Sequence, residues 1–267
     1  ARLMIGKEPP VVREAQREPG DVIFELKGVT TPGTERVCGT ENVTLSARKG
    51  EIIGIAGISG NGQARLMAIA SGEYRTAPEL VTLYGSPIGN PDTKARRIAG
   101  LRYVPEQRLG HAAVPELSLV ANTYLTGDNL FRGGFILAEK GRAFANKIIE
   151  RFHVKTSSPQ QHAGSLSGGN LQKLIVGREF TQDYEVLIIE DPTRGIDVGA
   201  KAEIYALIGR LAGEGYAILV VSSDQMELIG ISDRVYVMKD GEVVGELGRE
   251  EITAENIVSY AVGKEEA

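Results

Sequence analysis

Apolar positions along the chain follow two different spacings. From Val22 to Pro105 they gather in short runs: "VIFELKGV" (Val22–Val29), "NVTLSA" (Asn42–Ala47), "EIIGIAG" (Glu51–Gly57), "LVTLYG" (Leu80–Gly85) and "LRYVP" (Leu101–Pro105). Short runs of this kind, bounded by Gly, Pro and Asn, predict β-strands. "EIIGIAG" is nearly all apolar and ends in Gly, the pattern of a strand buried on both faces. The segment Gly62–Ser71 suits a helix. From Leu117 to Phe180 the spacing becomes helical, with "FILAEKGRAFANKIIERF" (Phe135–Phe152) and "NLQKLIVGREF" (Asn170–Phe180) as the helices predicted there. β-Character returns at "EVLIIED" (Glu185–Asp191) and "YAILVVSS" (Tyr216–Ser223), with a helix between them over Val198–Ala212. A short helix, a hairpin around Asp240-Gly241 and a helix over Ile252–Gly263 complete the pattern. The expected fold class is α/β: a sheet with helices on its faces, interrupted by a helical insertion at about 112–180.

Composition narrows the possibilities. A chain of 267 residues makes one large domain or two small ones, and 42% apolar residues support a substantial core. The net charge of −5 gives no global reason to expect nucleic-acid binding. Residues 1–20, with "GKEPPVVREAQREPG", read as a linker or frayed terminus, and residues 21–267 as the domain proper. The opening "ARLMIGKEPP" has no initiator Met, so the chain reads as a segment of a longer polypeptide. The single Cys38 excludes an intrachain disulfide, fits a reducing compartment and reads as a small buried hydrophobe. The longest apolar stretches, such as "AILVV" (Ala217–Val221), are too short to span a bilayer, so any membrane role is expected to be peripheral.

The stretch "GISGNGQA" (Gly57–Ala64) joins a predicted strand to a predicted helix. Gly57 and Gly62 let the backbone turn tightly and approach a ligand. Successive N–H groups of Gly57-Ile58-Ser59-Gly60-Asn61-Gly62 then form an anion nest at a helix N-terminus, where the dipole also favours negative charge. The glycine spacing is that of the phosphate loop G-x-x-x-x-G-K-[ST], but Gln63 and Ala64 replace Lys and Ser/Thr. Alone, the loop reads better as a strand-to-helix turn whose glycines serve packing. "LSGGNLQK" (Leu166–Lys173) changes that balance. Ser167 is suited to cap a helix, and Gly168-Gly169 permit close approach of a ligand to the helix start. Downstream, "VLIIEDPTRGID" (Val186–Asp197) is an apolar strand ending in two carboxylates, the place for a magnesium-organising acid and a water-polarising acid.

Together these strings resemble the nucleotide-binding domain of an ABC transporter, from about Val22 to the end of the chain. That family is a P-loop NTPase with a RecA-like core sheet, an antiparallel β subdomain and a helical insertion. "LSGGNLQKLIVGREF" and "DPTRGIDVGA" resemble more specifically the second, C-terminal ATPase domain of tandem importers for simple sugars and nucleosides. "RYVPEQR" fits the same subgroup and puts Glu106 near the place of the family's Q-loop Gln. The opening "LMIGKEPP" resembles the linker after the first ATPase domain, while "VPE" and "SLVANTYL" lean toward nucleoside-type importers. The resemblance implies ATP and a magnesium ion (Mg2+) as cofactors. It implies as partners another ABC ATPase domain, membrane permease subunits and indirectly a substrate-binding protein, but no nucleic acid. The expected location is the cytoplasmic face of the membrane. The insertion is the family's permease-contact region, with Phe131, Phe135 and Leu137 as docking candidates beside an equal reading as core or loop residues.

The carry-over assigns phosphate binding to Gly57, Ser59, Gly60, Asn61, Gly62, Gln63 and Ala64. Leu166, Ser167, Gly168, Gly169 and Asn170 form the signature segment, and Asp197 is the turn acid beyond the strand. Glu190 takes the magnesium-side position, Asp191 the catalytic acid, Ser223 the γ-phosphate sensor and Glu106 the Q-loop role. Several of these depart from the family pattern. Gln63 brings no charge, and charge-assisted hydrogen bonds are worth roughly 1.5–3 kcal/mol against ~1 for neutral ones. Ala64 offers no oxygen to a metal. Glu190 and Asp191 look exchanged, Asp191 being one methylene shorter than Glu. Ser223 stands where a His is usual, and "VTTPGTER" (Val29–Arg36) shows no aromatic to stack on adenine. ABC domains pair head to tail, so the expectation is a local site that grips nucleotide but hydrolyses it poorly, and a signature segment that completes a partner's site. The competing readings are a non-catalytic regulatory ATP-binding module and a soluble ABC protein acting on nucleic acid. Low basic content argues against the latter.

Overall fold

The computed structural model describes residues 18–182 and 184–263. Most of the expected linker therefore lies outside the described residues; where the description begins, the Gly20 N–H donates to the Lys49 carbonyl at 2.9 Å. The strands are β1 (Val22–Thr31), β2 (Thr40–Arg48), β3 (Ile52–Gly57), β4 (Val81–Leu83), β5 (Ser86–Pro87), β6 (Leu101–Val104), β7 (Phe131–Arg132), β8 (Phe135–Ile136), β9 (Val186–Glu190), β10 (Ala217–Val221), β11 (Arg234–Lys239) and β12 (Glu242–Gly248). The helices are α1 (Gln63–Ser71), α2 (Thr93–Ile98), α3 (Leu119–Thr123), α4 (Ala138–Arg151), α5 (Gly168–Phe180), α6 (Val198–Gly213), α7 (Gln225–Ile231) and α8 (Ala254–Val262).

The main sheet has the order β12-β11-β3-β10-β9-β6. It is parallel from β6 to β11, and β12 closes the edge by an antiparallel hairpin with β11. Side-chain alternation explains why its strands read as continuous apolar runs. Ile52, Leu187, Ile189, Ile218 and Val220 point to one face, where α5, α6, α7 and α8 contribute the facing side chains. Ile53, Ile55, Val186, Ile188 and Leu219 point to the other face, toward α1 and a second, antiparallel sheet of order β2-β1-β4-β5. The two layers and the antiparallel subdomain are those expected from the sequence.

The insertion departs from expectation. The helix predicted from Phe135 starts only at Ala138, and Phe135-Ile136 pair with Phe131-Arg132 as an antiparallel hairpin. Gly133 and Gly134 at its turn have φ of 56° and 84°, angles that glycine adopts at no steric cost. The insertion is tied to the core through buried charge: Arg102 of β6 donates to the Thr126 carbonyl at 3.2 Å and stands 3.9 Å from Glu179 Oε2. Arg178 and Glu179 near the end of α5 are almost wholly inaccessible, the Arg178 Nε donating to Glu179 Oε1 at 2.7 Å. Thr126 donates to the same oxygen at 2.8 Å, and Arg178 reaches the Asn122 carbonyl of α3.

Candidate functional site

The carboxyl ends of β3, β9 and β10 open into one cleft of about 360 Å³, in the position where open α/β sheets hold ligands. The loop after β3 forms its floor. Gly57 (φ 151°), Gly60 (φ 96°) and Gly62 (φ 101°) adopt angles outside the range of ordinary residues. At Gly57 a Cβ would lie 2.5 Å from Gln63 Nε2 and 2.6 Å from the Met238 carbonyl, so the close approach of backbone there requires glycine. Gly62 is the N-cap of α1. Among the described residues, the N–H groups of Ser59, Gly60, Gly62, Gln63 and Ala64 have no acceptor within the chain. A row of free N–H groups at a helix start is an anion-binding concavity.

Of the residues expected at the site, Gly57, Ser59, Gly60, Gly62, Gln63, Ala64, Glu106, Glu190, Asp191 and Ser223 all line this cleft. Asn61 does not: its N–H donates to the Ile58 carbonyl and its own carbonyl accepts from Gly241. Gln63 folds back, its amide donating to the Ile58 carbonyl at 3.1 Å.

The acids are engaged inside the chain. Asp191 (φ 39°) is held by its N–H to the Val221 carbonyl at 2.7 Å. Its Oδ1 accepts from both the N–H (2.8 Å) and the hydroxyl (3.0 Å) of Ser223, and Arg194 stands 3.4 Å from its Oδ2. Glu190 accepts from the Tyr103 hydroxyl at 2.9 Å on one oxygen and from the Glu106 N–H at 3.4 Å on the other. Burial pushes the Glu190 carboxyl above the usual carboxylate range, against the hydrogen bond from Tyr103 that favours its charged form. Glu106 is exposed and ion-paired with Arg194.

The segment Leu166–Asn170 and Asp197 lie apart from the cleft lining. Gly168 and Gly169 begin α5, and a Cβ on Gly169 would stand 3.2 Å from the Ala200 Cβ and 3.6 Å from Asp197 Oδ2. Asp197 caps α6 by accepting the Ala200 N–H at 3.0 Å, and that bond holds its carboxyl below the usual range. Ser167 occupies the N-cap position of α5, but its side chain does not cap the helix as expected. Its hydroxyl accepts from the Asn170 amide at 2.8 Å instead.

Sequence reading missed other residues of the cleft. Arg36, Val37 and Cys38, from the loop between β1 and β2, form part of its wall, together with Met67 and Gln225. Cys38 is thus a half-buried cleft residue and not the core hydrophobe expected. Tyr103 was invisible as a site residue because its contact with Glu190 depends on β6 being the neighbour of β9. "TER" and the "R" of "DPTRGID" were the available signals for Arg36 and Arg194.

A phosphate-loop nest, strand-end acids and a glycine-rich helix start on one α/β sheet are the parts of an ATP-binding cassette, and the chain belongs to the ABC transporter family, whose model matches residues 40–194. Among its relatives, the ribose import ATP-binding protein RbsA 1 of Rubrobacter xylanophilus is 38% identical over 269 residues, covering 100% of this chain and 53% of that protein. The arabinose import ATP-binding protein AraG of Vibrio parahaemolyticus is 40% identical over 263 residues, covering 97% of this chain and 51% of that protein. The chain spans about half the length of the curated relatives it matches. A nucleotide-free ATP-binding cassette from an ABC transporter has the same fold, with TM-score 0.75 at 21% identity over 90% of this chain and 96% of that one. A dimeric bacterial ABC transporter cassette gives TM-score 0.72 at 25% identity, over 85% of this chain and 99% of that one. No helix among the described residues is long and apolar enough to cross a membrane.

Proposed function

We propose that this chain is one ATP-binding half of an importer for a simple sugar or nucleoside, with its own cleft gripping nucleotide and its α5 start completing a neighbour's site. Residues 1–20 serve as the linker, 21–267 as the cassette and about 112–180 as the insertion. The reading is supported by the import function named for relatives about twice as long. It is also supported by the dimeric state of a cassette with this fold. The single observation that carries it is spatial: Ser167–Gly169 are exposed or half-buried and stand outside the cleft that their own chain's phosphate loop lines. A head-to-tail pair gives that segment a ligand.

Asp191 is poorly placed as a general base for hydrolysis in this cleft. One of its oxygens already accepts two hydrogen bonds from Ser223, and the other faces Arg194. Ser223 cannot become cationic, so it offers a γ-phosphate a hydroxyl only. The residues fit a resident magnesium ion poorly. Both oxygens of Glu190 already accept hydrogen bonds, Ala64 has no donor oxygen, and among the described residues no group of three acids, His or Cys is placed to hold a metal. The grip on nucleotide therefore rests on the backbone nest.

Docked at the cytoplasmic face, the insertion would meet the permease. The β7–β8 hairpin presents Phe131 and Phe135, the latter 78% exposed, on its surface. Closing the nucleotide-bound pair would move this insertion, a ligand shifting a two-state equilibrium through differential contacts.

The test joins the chain to a cassette whose phosphate loop keeps its Lys and Ser/Thr. Gly169→Asp places a carboxylate beside Asp197 and toward a partner's phosphates. Hydrolysis by the pair is expected to be lost, while nucleotide affinity of the isolated variant chain stays at the wild-type value. Normal hydrolysis by the variant pair would overturn the asymmetric reading.

A further inference from the structure

The cleft poses an electrostatic problem to any polyphosphate. Among the described residues, its lining carboxylates are Glu106, Glu190 and Asp191, against one lining cation, Arg36. The loop contributes no lysine, because Gln63 stands in its place. One further cation sits at the rim. The Arg194 guanidinium is paired with Glu106 and lies 3.4 Å from Asp191, so it bridges two of the three acids.

We propose that Arg194 is a phosphate-binding residue of this cleft, the cation that takes the role of the missing loop lysine. The proposal rests on the reading that the cleft holds a nucleotide. Its geometry is that of an arm with a fixed base and a movable head. The base is pinned: the Arg194 N–H donates to the Asp191 carbonyl at 3.2 Å, and the Arg194 carbonyl accepts from the Arg108 guanidinium. The head is 62% exposed and held only by ion pairs to partners at the cleft. Exposed ion pairs are weak, whereas a guanidinium fork binds phosphate bidentately through charge-assisted hydrogen bonds. Exchanging carboxylate for phosphate is therefore favourable. Asp191 stays in place after the exchange, because Ser223 holds its other oxygen. Glu106 is released to solvent, where half of it already lies.

A purely structural role makes a different forecast. Arg194→Ala and Glu106→Gln break the same ion pair, so if the pair merely braces the cleft, both substitutions act in one direction. If Arg194 binds phosphate, they act in opposite directions: the first removes the ligand and the second frees it from a competitor. The measurement is the affinity of the whole chain for magnesium-free ATP, ADP and AMP by calorimetry, with urea midpoints confirming that each variant folds. Arg194→Ala is expected to weaken ATP about tenfold, one charge-assisted bond, with progressively smaller losses for ADP and AMP. Glu106→Gln is expected to tighten ATP severalfold, and Arg194→Lys to lie between Ala and wild type. Wild-type affinity in Arg194→Ala, or a shift of both variants in the same direction, overturns the proposal alone. Failure of the wild-type chain to bind any of the three nucleotides overturns the nucleotide reading and the proposal with it.

Discussion

Among the described residues, Arg96 is the largest fully buried side chain, and it has no carboxylate partner there. Its guanidinium, carried on α2, donates to the Ile69 and Ala70 carbonyls in the last turn of α1, to the Gly89 carbonyl at 2.9 Å and to the Pro91 carbonyl at 3.2 Å. It closes over Gly72, where a Cβ would stand 2.8 Å from the Arg96 Nε. Burial pushes this guanidinium down to about 10. The charge is balanced by backbone dipoles, the negative end of α1 among them. Arg96→Met keeps the apolar stem and removes every donor. The Ile69 carbonyl keeps the Gly72 N–H and the Gly89 carbonyl keeps the Thr76 N–H, so the Ala70 and Pro91 carbonyls are the ones left without a partner, at about 1–3 kcal/mol each. Relief of the buried charge offsets part of that sum, so the net loss is expected to be about 2–4 kcal/mol.

That loss is a large fraction of the roughly 5–15 kcal/mol that stabilises a domain. The chain has no Trp but nine Tyr, so urea unfolding followed by far-ultraviolet circular dichroism and Tyr fluorescence suits it. With a slope of about 2–3 kcal/mol per molar, the midpoint should fall by about 1 M at an unchanged slope. Arg96→Lys should fall between the two, since an ammonium makes fewer of these bonds. A methionine variant whose midpoint stays within about 0.3 M of wild type would refute the reasoning, because it would mean that solvent or rearrangement satisfies those carbonyls at no cost.

Gln63→Lys releases the amide bond to the Ile58 carbonyl and brings a charge to the nest, so ATP affinity by calorimetry should rise about tenfold. Gly57→Ala sets a Cβ against the Met238 carbonyl at a left-handed angle, and its unfolding midpoint should report a loss of about 1–3 kcal/mol. Glu227 is buried, accepts the Thr193 hydroxyl at 2.6 Å and has its carboxyl raised chiefly by that burial. The folded chain therefore holds this proton to higher pH than the unfolded chain does, so the group's contribution is complete below its unfolded pKa of about 4 and is lost as pH rises through the folded value. Glu227→Gln should raise the thermal midpoint at pH 8 and have no such effect near pH 4; a variant less stable than wild type at pH 8 contradicts this.

What the sequence made legible follows from which contacts are local. The parallel strands announced themselves because burial on both faces leaves no polar alternation in "EIIGIAG" or "EVLIIED". The Asp240-Gly241 turn was visible because its left-handed angles demand such residues. Gly133-Gly134 carried the same signal, but flanking strands of only two residues were absorbed into a helical pattern. Ser167 looked like a helix cap by type and position, and Asn170 three residues on competes for its hydroxyl. Arg36 and Cys38 reach the cleft, and Tyr103 reaches Glu190, only through the placement of separate layers and the order of strands, which no local spacing encodes.

The division between backbone and side chain also explains how the loop holds its form with Gln63 and Ala64 at its end. The donors of the nest are N–H groups, present in every residue but proline, so no substitution at positions 63 or 64 by an ordinary residue removes them. What aims them is the set of angles at Gly57, Gly60 and Gly62. The acidic side chains, by contrast, are already engaged within the chain: Glu190 accepts from Tyr103, Asp191 from Ser223 while facing Arg194, and Glu106 pairs with Arg194. An anion entering the cleft thus meets oriented backbone dipoles first and rearranges charged side chains second. Substituting a loop glycine should consequently weaken anion binding, since it misdirects several donors together, whereas neutralising the lining carboxylate Glu106 removes a competitor for Arg194 and leaves those donors aimed.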